Sequence, residues 1–123
     1  MKKRVLLVED DPGTIDVMRH ELNFLGYEII VAENGLKAVE MAVSGLPDLI
    51  VMDVRLPKMD GLRATSLIRA DPKTKSIPIL AATVNASPGD REKCLAAGCD
   101  GYIAKPFTHT ELGAAIQKLL KAD

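Results

Sequence analysis

The chain has 123 residues, enough for one ordinary domain with a single buried core. Its 16 Lys+Arg against 17 Asp+Glu leave a formal charge of −1, so there is no cationic footprint for nucleic acid or for an anionic membrane surface. Hydrophobic residues make up 47%, which excludes compositional disorder, and the longest apolar runs, such as Val5–Val8 and Leu49–Met52, are too short to cross a bilayer.

The basic start Met1-Lys2-Lys3-Arg4 leads into an apolar run that ends at Glu9. A secretory signal needs a longer apolar core and a small-residue cleavage site, so the expectation is a cytoplasmic protein. Short β-rich runs then alternate with helical periods five times. The expected strands are Arg4–Glu9, Glu28–Glu33, Leu49–Asp53, Ile77–Thr83 and Gly101–Ala104. The first, third and fourth are nearly continuous apolar runs, as in parallel strands covered on both faces.

The intervening helices carry their own signals. The first begins after Asp11 with Pro12 at its first position, buries Ile15, Met18, Leu22 and Leu25, and stops at Gly26. The second follows Asn34 and stops near Gly45 and Pro47; the third follows Asp60 and ends before Pro72. The fourth opens at Ser87-Pro88-Gly89-Asp90 and closes at Gly98, with Cys94 and Cys99 around its end. These cysteines fit neither a C-x-x-C redox pair nor a zinc spacing, and are expected to be reduced thiols packed as small apolar groups. The fifth opens with the capping box Thr108-His109-Thr110-Glu111 and buries Leu112, Ala115, Ile116 and Leu119. His20 and His109 have no Ser or Cys partner and are expected at the surface, while Met18, Met41 and Met52 fall at core spacing.

Five βα units in one chain of this length predict an α/β domain over residues 1–123: a doubly wound, flavodoxin-like parallel sheet of order 2-1-3-4-5 with five helices. In such sheets the site lies beyond the carboxyl ends of the strands. Those ends carry Glu9-Asp10-Asp11, Asp53, Thr83 and Lys105-Pro106. Three or four carboxylates, a hydroxyl and an ammonium therefore converge on one crevice. Crowded carboxylates repel unless a cation joins them, and an all-oxygen set suits Mg²⁺ or Mn²⁺ rather than zinc.

These residues carry a resemblance that spans the whole chain. Val8-Glu9-Asp10-Asp11, Leu49-Ile50-Val51-Met52-Asp53 with Leu56-Pro57-Lys58-Met59-Asp60-Gly61, Pro78-Ile79-Leu80-Ala81-Ala82-Thr83, and Gly101-Tyr102-Ile103-Ala104-Lys105-Pro106-Phe107 are together similar to the receiver domains of bacterial two-component response regulators. The resemblance implies that Asp53 accepts a phosphoryl group from a partner's phosphohistidine. It implies Asp10 as a direct Mg²⁺ ligand, Glu9 as a ligand through water, and further oxygens from Asp53 and the backbone carbonyl of Arg55. Lys105 and Thr83 would contact the phosphoryl oxygens, the Lys105–Pro106 peptide would be cis, and Thr83 with Tyr102 would form the switch. The implied partners are a sensor histidine kinase or histidine phosphotransfer protein, meeting Pro106, Phe107 and the first helix, and a downstream protein target. Neither nucleic acid nor membrane is implied, and the chain would be a monomer or a phosphorylation-dependent dimer with no output domain.

Two positions depart from the family's habit. Val84 replaces the usual Ala or Gly after Thr83, and Arg55, like Asn85, occupies a position that tunes hydrolysis of the phosphoryl group. Arg55 and Val84 are expected to slow that loss. An aspartyl-nucleophile phosphatase of the haloacid-dehalogenase type is the enzyme alternative. It needs an acid two residues after the nucleophile, where this chain has Arg55. A degenerate receiver would have lost one of the acids or the lysine. A nucleotide-binding flavodoxin-like protein would need a Gly-rich first turn in place of Glu9-Asp10-Asp11. The expectation is a signalling switch rather than an enzyme.

Overall fold

The computed structural model describes residues 2–56, 59–83 and 88–120. Met1, Pro57, Lys58, Val84, Asn85 and Ser87, named above, lie outside them. In chain order the elements are β1 (Arg4–Val8), α1 (Pro12–Phe24), β2 (Glu28–Ala32), α2 (Gly35–Gly45), β3 (Leu49–Asp53), α3 (Gly61–Ala70), β4 (Ile79–Thr83), α4 (Pro88–Ala97), β5 (Gly101–Ala104) and α5 (His109–Leu120). All strand pairs are parallel and the order is β2-β1-β3-β4-β5, as expected.

The sheet is covered on both sides, which is why its central strands are apolar on both faces. On one face Leu6, Val8, Ile50, Met52 and Ile79 pack with Ala38 and Ala42 of α2, Ala64 and Ile68 of α3, and Cys94 of α4. On the other, Val5, Leu7, Leu49, Val51 and Leu80 pack with Met18 and Leu22 of α1 and with Leu112 and Ile116 of α5. Cys94 and Cys99 are buried free thiols, and burial pushes Cys99 up to about 11. Met18 and Met52 are buried, Met41 is half-buried, and His20 and His109 are exposed.

Caps set most helix starts. Asp11, Asn34 and Asp60 accept the backbone N–H of Thr14, Lys37 and Arg63, each at 2.8 Å. In α5 the capping box is reciprocal: Thr108 Oγ1 accepts from Glu111 N–H (3.1 Å) and Glu111 Oε1 from Thr108 N–H (3.0 Å). Leu25, Ala115 and Leu119 are only half-buried, at the rim of the faces on which the periodicity places them.

Boundaries differ from expectation where tertiary bonds intervene. β4 begins at Ile79, not Ile77: the Ile77 carbonyl accepts from Arg69 Nη1 (2.7 Å), its N–H is held by Thr74, and Pro78 has no N–H to give. β1 and β2 each stop one residue short of the expected end, although Glu9 N–H still donates to Ala32 O (3.0 Å). α2, as expected, ends at Gly45; its cap Leu46 takes φ 41°, and Pro47 stops the chain from continuing.

Arg69, near the end of α3, is a latch that periodicity did not mark. Its guanidinium donates to the carbonyls of Gly98 (2.8 Å), Lys75 (2.9 Å) and Ile77 (2.7 Å) and pairs with Asp100. Asp100 Oδ2 also accepts Ile79 N–H (2.8 Å). Gly98, at φ 115°, lies so close that a Cβ would stand 2.7 Å from Arg69 Cγ. One planar cation thereby ties α3 to the amino ends of β4 and β5. Arg69→Ala is expected to lower the unfolding free energy by about 2–3 kcal/mol in urea titration. Arg69→Lys should recover less than half of that, because an ammonium cannot reproduce the planar fork of donors.

Candidate functional site

The register brings the carboxyl ends of four strands to one edge: Val8 pairs with Met52, Asp53 with Ala82, and Thr83 with Ala104. Glu9, Asp53, Thr83 and Lys105 sit at those ends, beside the point where β1 and β3 diverge in connection. The site rim is thus produced by the strand order, not by a local motif.

Glu9 is buried at 3% exposure. Its Oε1 accepts from Lys105 Nζ at 2.6 Å, and its Oε2 accepts the backbone N–H groups of Asp10 (3.2 Å) and Asp11 (3.3 Å). Lys105 Nζ stands farther from Asp53 Oδ2, at 3.8 Å. Asp53 Oδ1 accepts Arg55 N–H (3.1 Å), a bond that folds the start of the following loop back over the carboxylate. Carboxylate oxygens of Glu9, Asp10 and Asp53 lie within 4.8 Å of one another.

This arrangement is electrostatically incomplete. Burial pushes Asp53 up from its ordinary 3.8 to about 6; Lys105 opposes the rise, and the neighbouring Glu9 adds to it. The donor set is all oxygen, with one carboxylate exposed and two sheltered, which fits a hard divalent cation. Asp11 is not part of the cluster. Its Oδ2 accepts both the amide and the hydroxyl of Thr14 at 2.8 Å, as the cap of α1, and those bonds hold it below its ordinary value. The cluster therefore has three acids, and the fourth is spent on helix capping.

Thr83 is buried at the end of β4, and its carbonyl accepts Lys105 N–H (2.8 Å). It lines a cavity of about 40 Å³ with Val54, Arg55, Leu62, Asp90 and Lys93. Tyr102 is half-buried on the face of the sheet that carries Cys94. Burial, and then the Asp90 carboxylate, push its phenol up. The Lys105–Pro106 peptide is cis. On the opposite side of Lys105, Gly13, Thr14, Val17, Met18, Pro106 and Phe107 line an open, mostly apolar groove of about 360 Å³. Sequence reasoning placed Glu9, Asp10, Asp53, Thr83, Tyr102 and Lys105 here, and the resemblance implied the cis peptide. It missed Gly35, whose absent Cβ would fall 2.1 Å from Met59 O, because close backbone approach leaves no pattern beyond the glycine itself.

Comparison with known proteins matches this geometry. The family model for the response regulator receiver domain covers residues 5–117. The chain is 39% identical over 108 residues to the polar-differentiation response regulator DivK of Brucella anthropi, covering 88% of each. It is similar to the receiver domain of the sensor histidine kinase PA1611 of Pseudomonas aeruginosa, a crystal structure with a magnesium ion in its active-site cleft. There the TM-score is 0.93 at 42% identity, over 98% of this chain and 99% of that one. The chemotaxis protein CheY4 of Vibrio cholerae follows at TM-score 0.91 and 30% identity, over 97% and 99%. Among the described residues no helix is long and apolar enough to cross a membrane.

The shift at Asp53 has a thermodynamic consequence. With a folded value of about 6 against 3.8, the folded state holds more protons than the unfolded state between those pH values. Stability therefore falls as pH rises through that window, and the whole penalty is present above it. In buffer freed of divalent ions, Asp53→Asn is expected to raise the thermal midpoint at pH 7.5 by about 3–6 °C. The advantage should fade as pH falls from about 6 toward 3.8 and be absent below it, as scanning calorimetry across pH would show.

Proposed function

Because the chain belongs to the receiver-domain family of response regulators, we propose that it is a phosphorylatable switch whose acceptor is Asp53. The observation that carries this reading is the placement of Asp53 between an ammonium and two further carboxylates at the strand ends. A carboxylate is a weak nucleophile, so rate must come from position and from charge compensation. Asp53 oxygen attacks phosphorus of a partner's phosphohistidine, the P–N bond breaks, and the imidazole leaves with the electron pair. Lys105 exchanges part of its hold on Glu9 for a phosphoryl oxygen, and the Thr83 hydroxyl donates to another.

The magnesium in the PA1611 receiver supports the same ion here. Asp10 and Asp53 would hold it directly, Glu9 through water, and the Arg55 carbonyl would complete the protein's share. Bound there, Mg²⁺ neutralises the anions that meet during transfer. The reaction is a single modification of the chain itself, so the protein is a signalling element and not a turnover enzyme. The groove beside Lys105, with Val17 59% exposed on its rim, fits docking of a histidine kinase or phosphotransfer domain. Occupation of Asp53 would then draw Thr83 toward the site and reset Tyr102, changing the surface offered to a downstream protein, in the cytoplasm.

Intact-protein mass after incubation with acetyl phosphate tests the reading. One phosphoryl adduct is expected, requiring Mg²⁺ and absent in Asp53→Asn; an adduct that persists in that variant, or none with any phosphohistidine donor, refutes it. Arg55 borders the small cavity beside Asp53 and is exposed, where its guanidinium would pair with phosphoryl oxygens and screen the path of water. Arg55→Asn is expected to shorten the half-life of the phosphoprotein several-fold, read by the decay of the adduct after donor removal.

A further inference from the structure

We infer that Gly35, at the start of α2, is a positioning residue for the loop that carries the oxygens of the phosphorylation site. The inference rests on the phosphoacceptor reading above. Gly35 is buried, and a Cβ built on it would stand 2.1 Å from Met59 O, 2.8 Å from Met59 C and 2.9 Å from Met59 Cβ. The nearest of these atoms are backbone, so no side-chain rotation relieves the clash. Two residues after Met59, the loop closes on its own start: Gly61 N–H donates to Val54 O (2.9 Å), and a Cβ on Gly61 would meet Asp53 O at 2.3 Å. The chain after Asp53 is therefore gripped at two points, once by the end of β3 and once by the amino end of α2.

Between the grips lies Arg55. Its N–H holds Asp53 Oδ1, and its carbonyl faces the role of a metal oxygen in the reading above. Any side chain at 35 would push Met59 outward by about 1 Å to reach ordinary contact. With Gly61 and Val54 held against each other at the end of β3, a shift of Met59 bears on the chain that leads back to Arg55. α2 contributes no atom to the site, yet it sets where the loop stands. Displacements of about 1 Å remote from the reacting atoms are enough to cost up to a hundredfold in rate.

The test uses the full chain. Gly35→Ala is compared with wild type and with Gly45→Ala, the other end of α2, where a Cβ would meet only the flexible Ile30 Cδ1 at 3.2 Å. Mg²⁺ affinity is measured by calorimetry without any phosphodonor, and phosphorylation by acetyl phosphate at saturating Mg²⁺; urea titration gives the folded fraction. Gly35→Ala should raise the Mg²⁺ Kd and slow phosphoryl uptake by about ten- to a hundredfold each, with Gly45→Ala within twofold of wild type. A Gly35→Ala protein that is less stable but binds Mg²⁺ within twofold of wild type overturns the inference and leaves Gly35 a packing residue.

If Gly35→Ala does not fold, amide shifts in the wild type decide. On Mg²⁺ titration the Gly35 and Met59 amides should move with the same saturation as Arg55, and a stationary Gly35 overturns the inference. A wild type that takes up neither Mg²⁺ nor phosphoryl overturns the phosphoacceptor reading and the inference with it, which distinguishes the two failures.

Discussion

The ion pair between Lys105 and Glu9 joins residues 96 apart in sequence, 2.6 Å apart in space. A carboxylate buried like Glu9 costs several kcal/mol unless it is paired and hydrogen-bonded. Here the ammonium and two backbone N–H groups supply that compensation. The pair can form only if β1 and β5 end at the same edge of the sheet, so parallel topology is a condition of the electrostatics. Lys105 cannot serve two acids equally. Its commitment to Glu9 leaves Asp53 with the weaker contact at 3.8 Å, and burial then raises Asp53. A carboxylate raised by burial beside two further acids is a place where a divalent cation would offset crowded negative charge.

The same strand order explains why so much was legible from residue patterns. Continuous apolar runs in β1, β3 and β4 mark strands buried on both faces, and Asp11, Asn34, Asp60 and Thr108 mark helix starts through bonds that reach only three residues. The strand-end rule then located Glu9, Asp10, Asp53, Thr83 and Lys105 without any contact being known. What stayed hidden depends on distant backbone. Arg69 has no apolar period to betray it, and its acceptors are mostly main-chain carbonyls, which any residue supplies. Gly35 reads as a helix-start glycine until Met59 is seen against it. Asp11 counted equally well as a fourth site acid or as a cap, and only the bonds from Thr14 decide for the cap.

The two ends of the sheet are tied in different ways. At the amino ends of β4 and β5, Arg69 and Asp100 tie α3, Ile79 and the turn after α4 through charge-assisted bonds. At the carboxyl ends, Thr83 O accepts Lys105 N–H, and the small cavity bounded by Arg55, Asp90 and Lys93 lies beside them. β5 is one of the two edge strands, with all four residues only half-buried, and Tyr102 lies on it. Under the phosphoacceptor reading, a change at Asp53 would leave the turn after α4 held, because Arg69 grips both Gly98 and Asp100.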